Sequence, residues 1–184
     1  FKAPRQFTQL RELSRTHMTL VGDVVRAQAR IKIAYRSRGV LVAGVDVYSP
    51  RRRDSWMQEL PSNTRTRATR LYDHLDFLLE QKKQAEADLL RAGKKHPIVK
   101  ILATAPGFGP IRAARLVPIV ITPHRFRTKR QFWSYCGFGL VTRSSSDWVQ
   151  TADGAWIKAR VPQTRGLSRQ HNHFLKAIFK GSCG

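Results

Sequence analysis

The sequence predicts a mainly α-helical protein: a long helical hairpin or coiled coil, then a small helical domain with a helix-hairpin-helix element and a short β-hairpin. Three observations carry that prediction. Apolar residues recur at three- and four-residue steps through two long stretches. A glycine, Gly39 or Gly93, stands where each stretch stops. After Lys94-Lys95 the texture changes to shorter elements, with glycine, aromatic and basic residues interleaved. The domain boundary falls there, giving a helical region over 1–93 and a second domain over 94–184.

In the first stretch, from Phe7 to Arg38, the residues Leu10, Leu13, Leu20, Val21, Val24, Val25, Ile31 and Tyr35 form one apolar stripe of a helix. Arg11, Arg15, Arg26 and Arg30 are left largely to solvent. The segment from Val40 to Asn63 reads as irregular, with Gly44, Pro50, the run Arg51-Arg52-Arg53, and Pro61. The second helix runs from Thr64 to Ala92. Its Leu71, Leu75, Leu78, Ala85 and Leu89 step close to a coiled-coil seam, which suggests pairing within the chain or self-association into a homo-oligomer. An ordinary two-helix core layer explains the same spacing.

Composition narrows the partners. The 184 residues hold 34 Lys and Arg against 12 Asp and Glu, a formal charge of +22. Self-repulsion of that size opposes folding unless a polyanion relieves it. No apolar run approaches a membrane span, and the amino terminus lacks a signal pattern, so a membrane partner is disfavoured and nucleic acid favoured. Cys136 and Cys183 are too few for a disulfide framework, which fits a reducing cytosol. The chain begins without Met and stops just after an apolar helical pattern, as expected of a fragment.

The sharpest motif spans Ile101 to Val117. An apolar helix ends at Pro106, turns through Gly107-Phe108-Gly109 and restarts at Pro110. Phe108 would pin the turn to the core. The turn amides and the following helix start, with Arg112, suit a phosphate without reading bases. A plain turn between core helices is the alternative. Next, Thr122 to Gly137 interleaves Arg125, Arg127, Lys129 and Arg130 with Phe132, Trp133 and Tyr135. The cations suit phosphates. The aromatics suit a core, or stacking on bases.

Arg143 precedes Ser144-Ser145-Ser146. A serine becomes a nucleophile toward phosphate only beside a base or local positive charge, and such a triplet is more often a loop or cap. Trp148 to Arg160 alternates around Asp153-Gly154, a hairpin turn. Arg165 and Arg169 then lead into a closing amphipathic helix. His171, His173 and the cysteines lack zinc-site spacing.

Together these motifs resemble a family. The order Pro106-Gly107-Phe108-Gly109, Thr122-Pro123-His124-Arg125-Phe126-Arg127-Thr128-Lys129, Tyr135-Cys136-Gly137-Phe138, Arg143-Ser144-Ser145-Ser146-Asp147-Trp148, Arg165-Gly166-Leu167 and Leu175-Lys176-Ala177-Ile178-Phe179-Lys180-Gly181 is similar to the carboxyl-terminal part of the IS-one-ten, IS-one-one-six and IS-nine-oh-two insertion-sequence transposases. The resemblance implies a guide-RNA-directed DNA recombinase acting in the bacterial cytoplasm, on the nucleoid. It places the nucleophilic serine on Ser145, flanked by Ser144 and Ser146. The turn, the charge and the basic segments make Gly107, Phe108, Gly109, Arg112, Arg125, Arg127, Lys129, Arg130, Arg143, Arg165 and Arg169 the candidate DNA-binding set. The resemblance also implies divalent metal held by four acidic residues of an amino-terminal domain; the acids of this chain are scattered, so it holds no metal or other cofactor of its own. Phe138 departs from the family's usual Leu, and Ser146 from its usual Ala or Gly.

The enzymatic reading is a recombinase fragment whose serine forms a phosphoserine link to DNA, inactive when isolated from the acidic domain. A non-catalytic module that binds nucleic acid and dimerises is the alternative. A ribosomal or chromatin-like basic protein explains the charge but not the order of the motifs.

Overall fold

The computed structural model describes residues 4–143, 148–158 and 163–182, and of Thr142, Arg143, Val149 and 163–165 only the backbone. It is mainly helical, as the sequence predicts. Chain contacts divide it into two units, Phe1–Pro97 and Ile98–Gly184.

The first unit is an antiparallel helical hairpin of α1, Thr8–Arg36, and α3, Ser62–Gly93. Contacts run in opposite directions along the two helices. Phe7 stacks on His96 at 5.1 Å, His17 Nε2 lies 3.6 Å from Glu86 Oε2, and the Tyr35 and Tyr72 hydroxyls meet at 3.0 Å. Gly39 closes α1 with φ +79, and the Val40 and Gly39 amides donate back to the Tyr35 and Arg36 carbonyls in a Schellman arrangement.

The buried stripe of α1 is Leu10, Ser14, His17, Val24, Ala27, Ile31 and Tyr35. Val25, expected on it, is 59% exposed, because neighbours in sequence lie about 100° apart around a helix. Ser14 and His17 take buried places that hydrophobicity alone does not assign. On α3 the residues Leu75, Leu78, Ala85 and Leu89 are buried and Leu71 is partly so, all within one chain. The hairpin therefore packs most of that seam within one chain.

Val40–Asn63 proves ordered rather than irregular. It holds two 3-10 turns and the short helix α2, Arg53–Gln58, and buries Val42, Val47 and Leu60 against the hairpin. Polar groups fasten it there. The Tyr72 hydroxyl donates to the Val47 carbonyl at 3.0 Å, and Arg53 grips Asp76 with two nitrogens at 2.5 and 2.6 Å while lying over the Tyr72 ring. Two of the three consecutive arginines are thus internal ties, since Arg52 also pairs with Asp46 at 2.8 Å.

The boundary falls at the first residue of α4, Pro97–Leu102, and α5, Pro110–Val120, follows in the second unit. The first of these stops at Leu102 rather than Pro106. The Thr104 and Ala105 amides reach back three residues in tight turns, and Pro106 keeps the residue before it out of helical geometry. Two short helices complete the unit: α6, Lys129–Tyr135, and α7, His173–Ser182.

Between those two helices stand four strands instead of a single pair: β1 Leu140–Arg143, β2 Trp148–Gln150, β3 Trp156–Lys158 and β4 Gln163–Leu167. β2 and β3 form the hairpin expected around Asp153-Gly154, and β1 pairs antiparallel with β4 outside it. Leu116, Val120, Cys136, Leu175 and Ile178 form the core beneath, with Phe108, Phe126, Phe132 and Phe179 packed on it. Burial raises the Cys136 thiol pKa to about 11, which leaves it protonated and inert at neutral pH.

The Arg53 pair gives a pH test. Its hydrogen bonds hold the Asp76 carboxyl below the usual carboxylate range. A depressed folded pKa contributes stability above the unfolded value of about 4, and that contribution is lost as pH falls through the folded value. Asp76 is 49% exposed, which keeps the effect to about 1 kcal/mol. Asp76→Asn is expected to lower the urea midpoint at pH 7, with the deficit shrinking below about pH 4. An equal deficit at both pH values would show that charge is not its source.

Candidate nucleic-acid interface

The turn between α4 and α5 is built from residues with different duties. Gly107 adopts φ +75, which favours glycine. A Cβ there would also lie 2.2 Å from the Ser182 carbonyl oxygen, so the carboxyl end of α7 fills the space beside it. Phe108 turns inward and meets Phe179 edge-on at 5.6 Å. Gly109 caps α5 in extended geometry, and nothing lies within 4 Å of the side chain it lacks. Arg112 donates to the Gly107 carbonyl at 2.6 Å and stiffens the turn. Of the two glycines expected to let a phosphate approach, Gly109 is the one with open space.

The basic segment follows a strained link. Ile121 has φ 65, and the Thr122 amide donates to the Val120 carbonyl at 2.7 Å, the form of a γ-turn rarely adopted by branched residues. Arg125 then lies over the Phe126 and Tyr135 rings at 4.6 and 4.8 Å. The Thr128 hydroxyl accepts from the Gln131 amide, and the Gln131 side chain accepts in turn from the Arg127 amide, a reciprocal cap on α6. That cap holds Arg127, Lys129 and Arg130 together at the exposed start of the helix.

The aromatics of α6 divide. Phe132 packs against Phe126 and Phe179, and Tyr135 packs against Phe126, so both are core. Trp133 is 60% exposed. The turn carrying exposed Arg169 is tied to the end of α6, because the Asn172 amide donates to the Tyr135 carbonyl at 2.9 Å. Asn172 also caps α7 by accepting from the Leu175 amide at 3.0 Å. His171 Nδ1 lies 2.8 Å from the Ser168 carbonyl, and its ring fills the space where Gly137 lacks a Cβ. Both contacts assign it to the fold.

The serine triplet 144–146, with Ser145, lies outside the described residues. Arg143 and Arg165 are described by backbone alone, in β1 and β4. Sequence reasoning gave no role to Trp148 and Trp156, both well exposed on the inner hairpin.

Electrostatics marks the whole unit. Fourteen Lys and Arg lie between Ile98 and Gly184, with Asp147 and Asp153 as the only acids. Two carboxylates cannot neutralise fourteen cations, whatever their positions. The first unit differs, since Asp23, Asp46, Asp76 and Asp88 each pair with an arginine. Among the described residues, no three of His, Cys, Asp and Glu come together as a metal site would need. No helix of the described residues is long and apolar enough to cross a membrane.

The two glycines of the turn separate experimentally. Gly107→Ala is expected to cost about 1–3 kcal/mol through its backbone angle and the clash with Ser182. Gly109→Ser should be neutral or slightly stabilising, since serine is a good cap and meets nothing. Thermal unfolding of both variants checks this, and equal loss in the two would refute the assignment.

No curated protein and no solved structure matches the chain. Residues 99–175 do match a family, Transposase IS116/IS110/IS902. That match runs from α4 into α7, through the turn, the basic segment and the strands. Over residues 99–175 the chain is therefore similar to the Transposase IS116/IS110/IS902 family.

Proposed function

We propose that the carboxyl-terminal unit binds the phosphate backbone of DNA as part of a recombinase, and that guide RNA is a second polyanion for the same basic surface. The observation that carries this reading is the fourteen-to-two excess of cations, within a segment of a transposase family. Arg127, Lys129, Arg130 and Arg169 supply exposed charge, and open Gly109 lets backbone approach the start of α5. Contacts of this kind position a duplex without reading its sequence. Arg112 and Arg125 support the surface from inside, through the Gly107 carbonyl and the Phe126 and Tyr135 rings.

Binding is expected to be salt-sensitive and weakly sequence-specific. If about six phosphates are neutralised, log affinity falls against log salt with a slope of about −5 on duplex DNA. Replacing Arg127, Lys129 and Arg130 together with Ala should weaken binding to all sequences and make the slope shallower by about 3. Affinity independent of salt, measured by anisotropy across buffers, would overturn the electrostatic account.

The chemistry proposed for Ser145 rests on the family resemblance. Its Oγ attacks a DNA phosphorus and loses its proton to a base. A phosphorus–Oγ bond forms, the bond to one strand oxygen breaks, and that oxygen leaves as a hydroxyl. In the complete recombinase with its acidic domain and guide RNA, Ser145→Ala should abolish the covalent protein–DNA adduct with DNA binding intact. Ser144→Ala and Ser146→Ala should be milder. Adduct that survives Ser145→Ala and disappears with a neighbouring serine, scored on denaturing gels, would move the nucleophile.

A further inference from the structure

The β2–β3 hairpin carries aromatic surface that the fold leaves unused. Trp148 is 59% exposed and Trp156 62% exposed. In the antiparallel register Trp148 stands opposite Lys158, and Gln150 stands opposite Trp156. Alternate residues of a strand share a face, and directly paired residues share it too. Both indoles, Lys158 and Gln150 therefore occupy one side of the hairpin. Diagonal neighbours on such a face are about 7–8 Å apart. That spacing is close to two base-stacking layers of about 3.4 Å each.

The platform is stiff. The Thr151 amide donates to the Ala155 carbonyl at 2.9 Å, and the Gly154 amide donates to the Thr151 carbonyl at 2.8 Å. Gln150 Nε2 reaches the Gly154 carbonyl at 3.2 Å, which braces the turn from the tryptophan-bearing face. Exposed aromatic surface on a stiff element, within a unit of fourteen cations and two acids, is complementary to a ligand that is polyanionic and flat.

We propose that this face of the β2–β3 hairpin is a stacking platform for unpaired bases of single-stranded DNA. It rests on the reading of this unit as a nucleic-acid binder. An indole offers mainly its π-face, and the faces of duplex bases are already covered by their neighbours; only unpaired bases are free to stack on it. Lys158 supplies charge for the adjoining phosphate. The transposase family that residues 99–175 match selects DNA as the strand.

The test titrates a labelled oligothymidylate, a mixed-sequence DNA duplex and an oligouridylate into the full chain and two variants, W148A/W156A and W148F/W156F. Stacking contributes about 1–3 kcal/mol per base. The alanine pair should therefore lose at least about tenfold in affinity for oligothymidylate. Duplex affinity should stay within about twofold, and the phenylalanine pair should recover most of the loss. Melting curves and circular dichroism of each variant report whether the hairpin is still formed. Unchanged oligothymidylate affinity in the alanine pair overturns the platform while leaving the phosphate-binding reading intact. Equal losses on single strand and duplex, or no recovery with phenylalanine, assign the tryptophans to the fold. A loss confined to oligouridylate overturns DNA as the occupant. No binding of any probe by the unsubstituted chain overturns both readings.

Discussion

Phe179 is the contact on which the carboxyl-terminal unit depends. Its ring meets Phe108 at 5.6 Å, Phe132 at 6.0 Å and Phe138 at 6.4 Å, each close to edge-on. Those partners come from the turn before α5, from α6, and from the loop entering β1. Edge-to-face aromatic pairs add about 0.5–1.5 kcal/mol each beyond the area they bury. One side chain on α7 therefore gathers the segments that carry basic residues and holds them through apolar contact. The fourteen cations of this unit repel one another, and the aromatic cluster opposes that repulsion.

The two units handle arginine in opposite ways. In the helical hairpin, Arg53 is 15% exposed, bound to Asp76 and laid across Tyr72, and Arg52 is bound to Asp46. They fix a connecting segment whose sequence has little helical pattern. In the second unit Arg125 rests on two aromatic rings, while Arg127, Lys129 and Arg130 extend from a capped helix start in a unit with only two acids in its sequence. The same side-chain chemistry is structural where acids are at hand and available to an external anion where they are scarce.

Glycine performs two jobs at the candidate interface. Gly107, Gly137 and Gly139 stand where another part of the chain comes too close for a Cβ: the Ser182 carbonyl, the His171 ring and the Ser134 side chain. Gly109 faces open space instead. A glycine-rich turn is thus partly a packing device, and its openness to phosphate narrows to the helix start at Gly109. The tryptophans of the β2–β3 hairpin show the reverse case, in which large aromatic groups lie outside any core.

Much of the architecture was legible in the residues alone. Three- and four-residue apolar spacing with a terminal glycine located α1 and α3, because helix geometry puts such residues on one side whatever they pack against. The Pro110 start and the Asp153-Gly154 turn are likewise local, governed by backbone angles and hydrogen bonds within a few residues. The charge excess needed only counting. What required the tertiary structure was the identity of each neighbour. Val25 and Val24 are equally apolar, yet only one faces α3. Arg53 looks like an exposed cation until Asp76 arrives from 23 residues away. Phe132 and Trp133 are adjacent aromatics with opposite burial, and Gly107 and Gly109 are neighbouring glycines with opposite surroundings. Sequence patterns report the direction in which a side chain leaves its own element, whereas the group waiting there comes from a distant part of the chain and is decided only by packing.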